Sequence, residues 1–165
     1  MKWDYLKENI YYWDGSWRDI YIKDTSKDDW EKWISFVNNN YRIEWHNPIT
    51  DKLETKIDFK VIEDNFEGNS EYVTTANVFI EEIQINAHFF TATEIENDID
   101  PREFNSNDDH FKLMNYLKAI SKLLKKQVIL TPENSNEIIL LTVNLDEIVI
   151  NNDTAPGNWP INIRI

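Results

Sequence analysis

Four carboxylates alternate with other residues along one short segment of the chain. They are Glu94, Glu96, Asp98 and Asp100. In an extended strand, side chains two positions apart point to the same face, so this spacing predicts a row of carboxylates, named here the acidic row. Such a row is suited to docking a basic protein or to holding a hard cation such as calcium or magnesium. It is equally typical of a solvated strand face that discourages aggregation.

His88 lies shortly before the acidic row, in a segment that alternates apolar and polar side chains. The alternation predicts a strand in which the imidazole points away from the apolar face. General acid–base chemistry needs a carboxylate beside it, which Glu96 or Asp98 on a neighbouring strand would supply. The alternative is a half-buried structural histidine. We expect His46 and His110 at the surface, and the spacing of the three histidines fits no metal site.

Two tryptophans, Trp13 and Trp17, flank a turn sequence of Asp, Gly and Ser. The aromatic residues on both sides of this turn predict a β-hairpin over residues 11–22. Large rings beside a turn are difficult to bury completely, and exposed tryptophans are favoured anchors in protein interfaces. We therefore predict that Trp13 and Trp17 contact a partner. The alternative is that they belong to the core, as we expect for Trp30 and Trp33.

The charge and composition of the chain exclude several classes of function. The 165 residues include 17 Lys and Arg against 30 Asp and Glu, so the formal net charge is −13. Binding to nucleic acid or to an anionic membrane depends on basic side chains, so we expect neither. The absence of cysteine removes thiolate ligands, disulfides and cysteine nucleophiles, and is typical of a cytoplasmic protein. Only three glycines and no phosphate-binding motif are present, and we predict no cofactor.

The apolar pattern predicts a single α+β domain over residues 1–165, in which two main helices pack on a mostly antiparallel sheet. The first helix follows Ser26, a suitable N-cap, and buries Trp30 and Trp33. The second covers about residues 108–125, with acidic residues in its first turn and lysines in its last, as the helix dipole favours.

Alternating apolar residues predict the strands of the sheet. The segment from Leu53 to Phe66 is ambiguous, because its alternating apolar residues fit a strand while Asp58 to Phe66 also fits a short helix; we favour the strand. The alternating isoleucines of residues 161–165 predict an edge strand. The other strand patterns lie at residues 41–45, 73–90 (two strands), 94–100, 128–130, 138–143 and 148–150.

Three stretches of the chain resemble a group of small bacterial proteins. They are residues 18–22 with the following Asp29-Trp30 pair, residues 88–90 leading to residues 98–103, and residues 128–134. This group is similar to immunity proteins, which neutralise toxins that bacteria deliver to one another. The resemblance implies a cytoplasmic single-domain protein and, as a further step, a toxin-binding function. It transfers no catalytic residue.

These observations support one leading hypothesis and two alternatives. The leading hypothesis is a non-enzymatic, acidic protein-binding domain, specifically an immunity protein that binds a basic toxin through the acidic row, Trp13 and Trp17. It assigns no catalytic residue and no metal ligand. One alternative is a metal-assisted hydrolase that uses the carboxylates and His88. The other is a structural subunit that associates with its own copies through the edge strand at residues 161–165, since the oligomeric state is left open.

Overall fold

Residues 2–151 are described by a computed structural model, in which they form four α-helices and a nine-stranded sheet. The helices are α1 (Trp3–Asn9), α2 (Lys27–Asn40), α3 (Phe59–Phe66) and α4 (Asn107–Leu124). The strands are β1 (Arg18–Lys23), β2 (Arg42–Asn47), β3 (Lys52–Glu54), β4 (Thr75–Ile80), β5 (Ile83–Thr91), β6 (Glu94–Ile99), β7 (Val128–Pro132), β8 (Leu141–Asn144) and β9 (Glu147–Ile150). The edge strand predicted at residues 161–165 lies outside the described residues.

The sheet is antiparallel throughout, in the order β3-β2-β4-β5-β6-β1-β7-β8-β9. The predicted α+β class is confirmed, and the two predicted helices correspond to α2 and α4. The short helix α1 was not predicted, and α3 corresponds to the helix given as the less favoured alternative for its segment. None of the helices within residues 2–151 has the length and apolar character needed to cross a membrane.

Helices α2, α3 and α4 pack against the sheet, and along β4, β5 and β6 the opposite face is partly exposed. On β5 and β6 buried and partly exposed residues alternate, as expected when only one face is covered. We call the second face the open face. Its central residues are Asp19, Tyr21, Thr75, Asn77, Phe79, Gln84, Asn86, His88, Phe90, Glu94, Glu96 and Asp98.

A short hydrogen-bonded chain holds β6 against both long helices. The indole Nε1 of Trp33 on α2 donates to the hydroxyl of Tyr116 on α4, over 3.2 Å. That hydroxyl donates in turn to Oδ1 of Asn97, over 3.4 Å. All three side chains are buried, and Trp30 and Trp33 lie in the core as predicted. These contacts set the position of β6 and therefore of the acidic row on its opposite face.

The hairpin predicted for residues 11–22 is wrong, because β1 pairs with β6 and β7 instead. The physical reason is Arg18, whose side chain is fully buried. Burial lowers its pKa to about 10, while Asp14, 3.7 Å away, favours the charged form. The preceding segment therefore wraps around the guanidinium and does not pair with β1. The guanidinium donates hydrogen bonds to the backbone carbonyls of Ile10, Tyr12, Ser16 and Trp17.

The strand favoured for Leu53 to Phe66 is wrong over most of its length. Only β3 is extended there, and Phe59–Phe66 is the helix α3. The carboxylate of Asp58 accepts a hydrogen bond from the backbone N–H of Lys60 over 2.9 Å and so caps this helix. Ile62 is buried, and the ring of Phe66 packs 5.7 Å from Trp30 in the core. Tertiary packing on α2 therefore decides between the two conformations.

His110, expected at the surface, is only 5% exposed. Its Nδ1 lies 2.7 Å from the hydroxyl of Tyr11, whose ring stacks on Phe104 with the ring centroids 4.3 Å apart. Burial lowers the pKa of His110 to about 4, so the imidazole is neutral near pH 7. This cluster joins the start of α4 to the residues that follow α1.

Candidate functional site

The acidic row lies on a strand in the middle of the sheet. β6 has β5 on one side and β1 on the other, so the row does not protect a sheet edge. Glu94, Glu96 and Asp98 are half-buried on the open face, while the alternate residues of the strand, Ile95, Asn97 and Ile99, are buried. The shared face predicted from their spacing is confirmed for these three residues. Asp100 lies just beyond the strand.

His88 and Asp98 form the closest polar contact on the open face. His88 Nε2 lies 2.5 Å from Asp98 Oδ2, and each side chain is 20% exposed. The other oxygen of Asp98 accepts a hydrogen bond from the Asn86 amide over 2.6 Å. The hydrogen bond to Asp98 raises the pKa of His88 above its usual value, although burial acts in the opposite direction. Of the two carboxylates predicted as partners for His88, Asp98 is therefore the one bonded to it.

A fifth carboxylate, missed in the sequence, belongs to the same cluster. Asp19 on β1 lies directly opposite Asp98 and is only 4% exposed. Its Oδ2 accepts hydrogen bonds from the Tyr21 hydroxyl over 3.0 Å and from the backbone N–H of Asn134 over 2.7 Å. Burial raises the pKa of Asp19 to about 6, and the neighbouring charge of Asp98 adds to this rise. The alternation along β1 was visible in the sequence, but its partner strand was not.

Glu96 lies among three other carboxylates, Asp19, Glu94 and Asp98, whose charges all act on it. It lies opposite His88 on one side and opposite Tyr21 on the other. Burial and then the charge of Asp19 raise its pKa above the usual value. Within the described part of the chain, its carboxylate accepts no hydrogen bond and forms no ion pair. Like charges are therefore held together here, in a state that an incoming cation would relieve.

The structure connects the end of the acidic row to Trp13. Asp100 accepts hydrogen bonds from the backbone N–H of Arg102 over 2.9 Å and from its Nη2 over 2.7 Å. The guanidinium carbon of Arg102 lies 4.0 Å from the centre of the Trp13 ring. Trp13 is 40% exposed, so it does not belong to the core. Trp13 and Arg102 line a cleft of about 570 Å³ between α1 and residues 101–105.

Trp17 occupies a different place from Trp13. It is half-buried, and its backbone N–H lies 3.4 Å from Oε2 of Glu133, in the loop that follows β7. It does not line the cleft beside Trp13. The two tryptophans predicted as a pair of anchors are therefore separated, and only Trp13 is joined to the acidic row.

The arrangement of Thr75, His88 and Asp98 has the order of a nucleophile, a base and an orienting carboxylate. Thr75 Oγ1 lies 3.2 Å from His88 Nδ1. Acyl transfer also needs N–H donors directed at the developing oxyanion. The residues of β4, β5 and β6 around this trio are paired within the sheet, except at the register shift between His88 and Thr91. Among residues 2–151, no three His, Asp or Glu side chains are grouped as ligands for a metal ion.

Comparison with known proteins returns no family model, no curated protein and no solved structure that matches the chain. Function is therefore inferred from the charges and contacts of the open face and of the adjoining cleft. The open face is charged, and the adjoining cleft is lined in part by the exposed rings of Tyr12 and Trp13.

Proposed function

We propose that the protein is a non-enzymatic binding domain whose open face docks a basic protein through the acidic row. The observation that carries this proposal is the gathering of three half-buried or buried carboxylates, Asp19, Glu96 and Asp98, around the β1–β6 pair. Lysine or arginine side chains of a partner relieve the repulsion between them. Opposite charge also steers the partner and raises its association rate.

The cleft beside Trp13 extends the proposed docking surface. Asp100 ends the acidic row, and through Arg102 it holds the ring of Trp13 at the mouth of the cleft. Tyr12, 47% exposed, lies on the same wall. Exposed aromatic rings beside a charged surface are the residues that most often dominate binding energy. We therefore keep Trp13 as an anchor, whereas Trp17 supports the loop after β7 through its backbone.

The specific form of the proposal is an immunity protein that binds a basic toxin in the cytoplasm of a bacterium. The resemblance to such proteins supports it, and so do the net charge of −13 and the absence of cysteine. That resemblance covers residues 18–22 with Asp29-Trp30, residues 88–90 leading to 98–103, and residues 128–134. Such a function requires a charged surface complementary to the toxin and no catalytic group.

The test compares two double variants of equal charge change. Glu94→Lys with Glu96→Lys alters the open face, whereas Glu31→Lys with Glu82→Lys alters exposed carboxylates on α2 and in the β4–β5 turn. Each tagged protein is used to capture partners from a lysate of the source organism, followed by mass spectrometry. We expect the wild type and the control variant, Glu31→Lys with Glu82→Lys, to capture the same basic protein. The open-face variant, Glu94→Lys with Glu96→Lys, should fail to capture it.

The association rate of that partner then provides a quantitative check. Reversal of the open-face charges should slow association far more at low salt than at high salt, because salt screens exposed charges. Equal association rates for the two double variants at low salt would contradict the docking face. If the protein is an immunity protein, its partner must arrest bacterial growth when the partner is expressed alone. Co-expression of this chain must prevent that arrest.

The His88–Asp98 hydrogen bond favours a second candidate function, the metal-assisted hydrolase. A thermal-shift scan with magnesium, manganese and calcium separates it from the binding function, because a ligand that binds only the native state raises the melting temperature. If the protein is only a binding domain, millimolar metal should cause no rise in melting temperature that depends on His88. A rise that is lost in Asp98→Asn would favour the hydrolase.

A further inference from the structure

The pairing of β5 with β6 is interrupted by a β-bulge between His88 and Thr91. Two residues of β5, Phe89 and Phe90, there occupy the space opposite a single residue of β6. As a result Phe89 is buried in the core at 1% exposure, while the neighbouring Phe90 is 59% exposed. Bulges commonly redirect a side chain beside a functional surface. Here the bulge places an aromatic ring at the border of the acidic row.

One face of the Phe90 ring is covered, and the ring remains largely accessible. The imidazole of His88 stacks on it with the ring centroids 5.3 Å apart and the planes 6° from parallel. Glu96 lies directly opposite His88 on β6. Side chains opposed in this way are about 5 Å apart at their Cβ atoms. The exposed Phe90 ring therefore lies beside the histidine that faces Glu96, a carboxylate without a hydrogen bond or ion pair among residues 2–151.

The open face already contains an example of what such a pair can bind. The guanidinium carbon of Arg42 lies 3.7 Å above the ring of Phe79, and Arg42 Nη1 lies 2.8 Å from Glu44 Oε1. A planar guanidinium can stack on a ring and bond to a carboxylate at the same time. Arg42 and Glu44 are on β2 and Phe79 is on β4, so this contact forms across two neighbouring strands.

The same arrangement recurs at Arg102, which lies over Trp13 and bonds to Asp100. Phe90 borders the acidic row, but within the described residues no lysine or arginine lies over its ring. Phe90 and Glu96 thus offer a ring and a carboxylate, like the contacts at Arg42 and Arg102. In this case the guanidinium would come from another molecule.

We propose that Phe90 and Glu96 form an arginine-selective contact, in which a partner's guanidinium stacks on the accessible face of Phe90 and bonds to the Glu96 carboxylate. This inference rests on the proposed function, because it identifies which basic residue of the docked protein is recognised. Lysine can pair with Glu96, but its compact, strongly hydrated ammonium does not stack on a ring as a guanidinium does. Selectivity for arginine is what Phe90 adds to the acidic row.

The test uses two fluorescein-labelled peptides, hexa-arginine and hexa-lysine, titrated against the full chain and followed by fluorescence anisotropy. Wild type should bind hexa-arginine about two- to five-fold more tightly than hexa-lysine, as expected for one exposed cation–π contact. Phe90→Leu should bring the two affinities together and leave the affinity for hexa-lysine unchanged. Phe90→Tyr should keep the preference. The matched control is Phe111→Leu, since Phe111 is 55% exposed on α4, away from the open face.

The outcomes separate this contact from the docking face that it requires. Equal affinities for the two peptides in wild type, or a preference that survives Phe90→Leu, would overturn the arginine contact and leave the acidic face standing. Failure of both peptides to bind would overturn the proposed docking face and the contact with it. If Phe111→Leu also loses the preference for hexa-arginine, that preference does not arise from Phe90, and the assignment to Phe90 would be overturned. Circular dichroism melts of each variant confirm that the comparison is made between folded proteins.

Discussion

Asp19 and Asp98 lie directly opposite each other on β1 and β6, so two carboxylates are neighbours in the centre of the sheet. Like charges in directly opposed positions destabilise a sheet. Hydrogen bonds from Tyr21 and Asn134 to Asp19, and from Asn86 to Asp98, offset part of that cost. A sheet selected for stability alone would not need this pair, and its presence is consistent with a surface that binds cations of a partner.

The first prediction concerns Asp19 and the dependence of stability on pH. The folded-state pKa is raised to about 6 from an ordinary value of 3.8, mainly by burial. The folded state therefore binds the proton more tightly, and its contribution to stability falls as pH rises from about 4 to 6. Asp19→Asn keeps an oxygen acceptor and should be about 2 kcal/mol more stable relative to wild type at pH 7 than at pH 4.

Urea unfolding of Asp19→Asn and wild type at a series of pH values measures this difference. Glu94→Gln, a carboxylate of the same face, is the control. A gap between Asp19→Asn and wild type that stays constant from pH 4 to 7 would show that Asp19 titrates normally.

The second prediction concerns His110, whose effect has the opposite sign. Its folded-state pKa is lowered to about 4 from 6.5 by burial, so the unfolded chain binds the proton more tightly. Stability is lost as pH falls from about 6.5 to 4, by about 3 kcal/mol. The double variant Tyr11→Phe with His110→Leu has no imidazole to protonate at this position. Its free energy of unfolding should therefore rise relative to that of wild type as the pH falls.

Tyr11→Phe alone is the control for His110. It removes the hydrogen bond but keeps the buried imidazole, so it should cost about 1 kcal/mol and keep the wild-type slope. Because the Asp19 and His110 effects overlap in pH and oppose each other, each is measured as a difference from wild type. A double variant that follows the wild-type slope would contradict the assignment.

The third prediction concerns Arg18, which organises the segment before β1. Arg18→Met removes the donors to four backbone carbonyls in a buried place and leaves Asp14 without its counter-charge. We expect a loss of at least about 3 kcal/mol in the free energy of unfolding. Arg42→Met, at an exposed position, should cost less than about 1 kcal/mol. Similar denaturation midpoints for the two variants would refute a structural role for Arg18.

The fourth prediction concerns the proton on His88. The hydrogen bond to Asp98 is the largest cause of its raised pKa, and burial acts against it. Asp98→Asn should therefore lower the pKa of His88, and NMR titration of the imidazole protons measures it. Glu94→Gln should leave the titration unchanged. An unaltered His88 titration in Asp98→Asn would mean that the pair is not formed in solution.

Local patterns in the sequence were sufficient for much of the fold. The capping residues of α2 and the charge distribution of α4 predicted both helices, and alternation predicted β4, β5 and β6. Ser26 and Asp29 form the reciprocal hydrogen bonds of a capping box. These features depend on residues close in sequence, so a single chain is enough to reveal them. The same holds for the shared face of the acidic row.

The sequence by itself determined which side chains share a face, because the direction of a side chain follows from the local conformation of the backbone. Only the tertiary structure decided which faces meet. It placed β1 beside β6, and so Asp19 beside Asp98, and it drew the segment before β1 around Arg18 in place of the predicted hairpin. It also introduced the bulge that exposes Phe90. Strand neighbours and buried charges depend on packing between residues far apart in the chain, which no local pattern encodes.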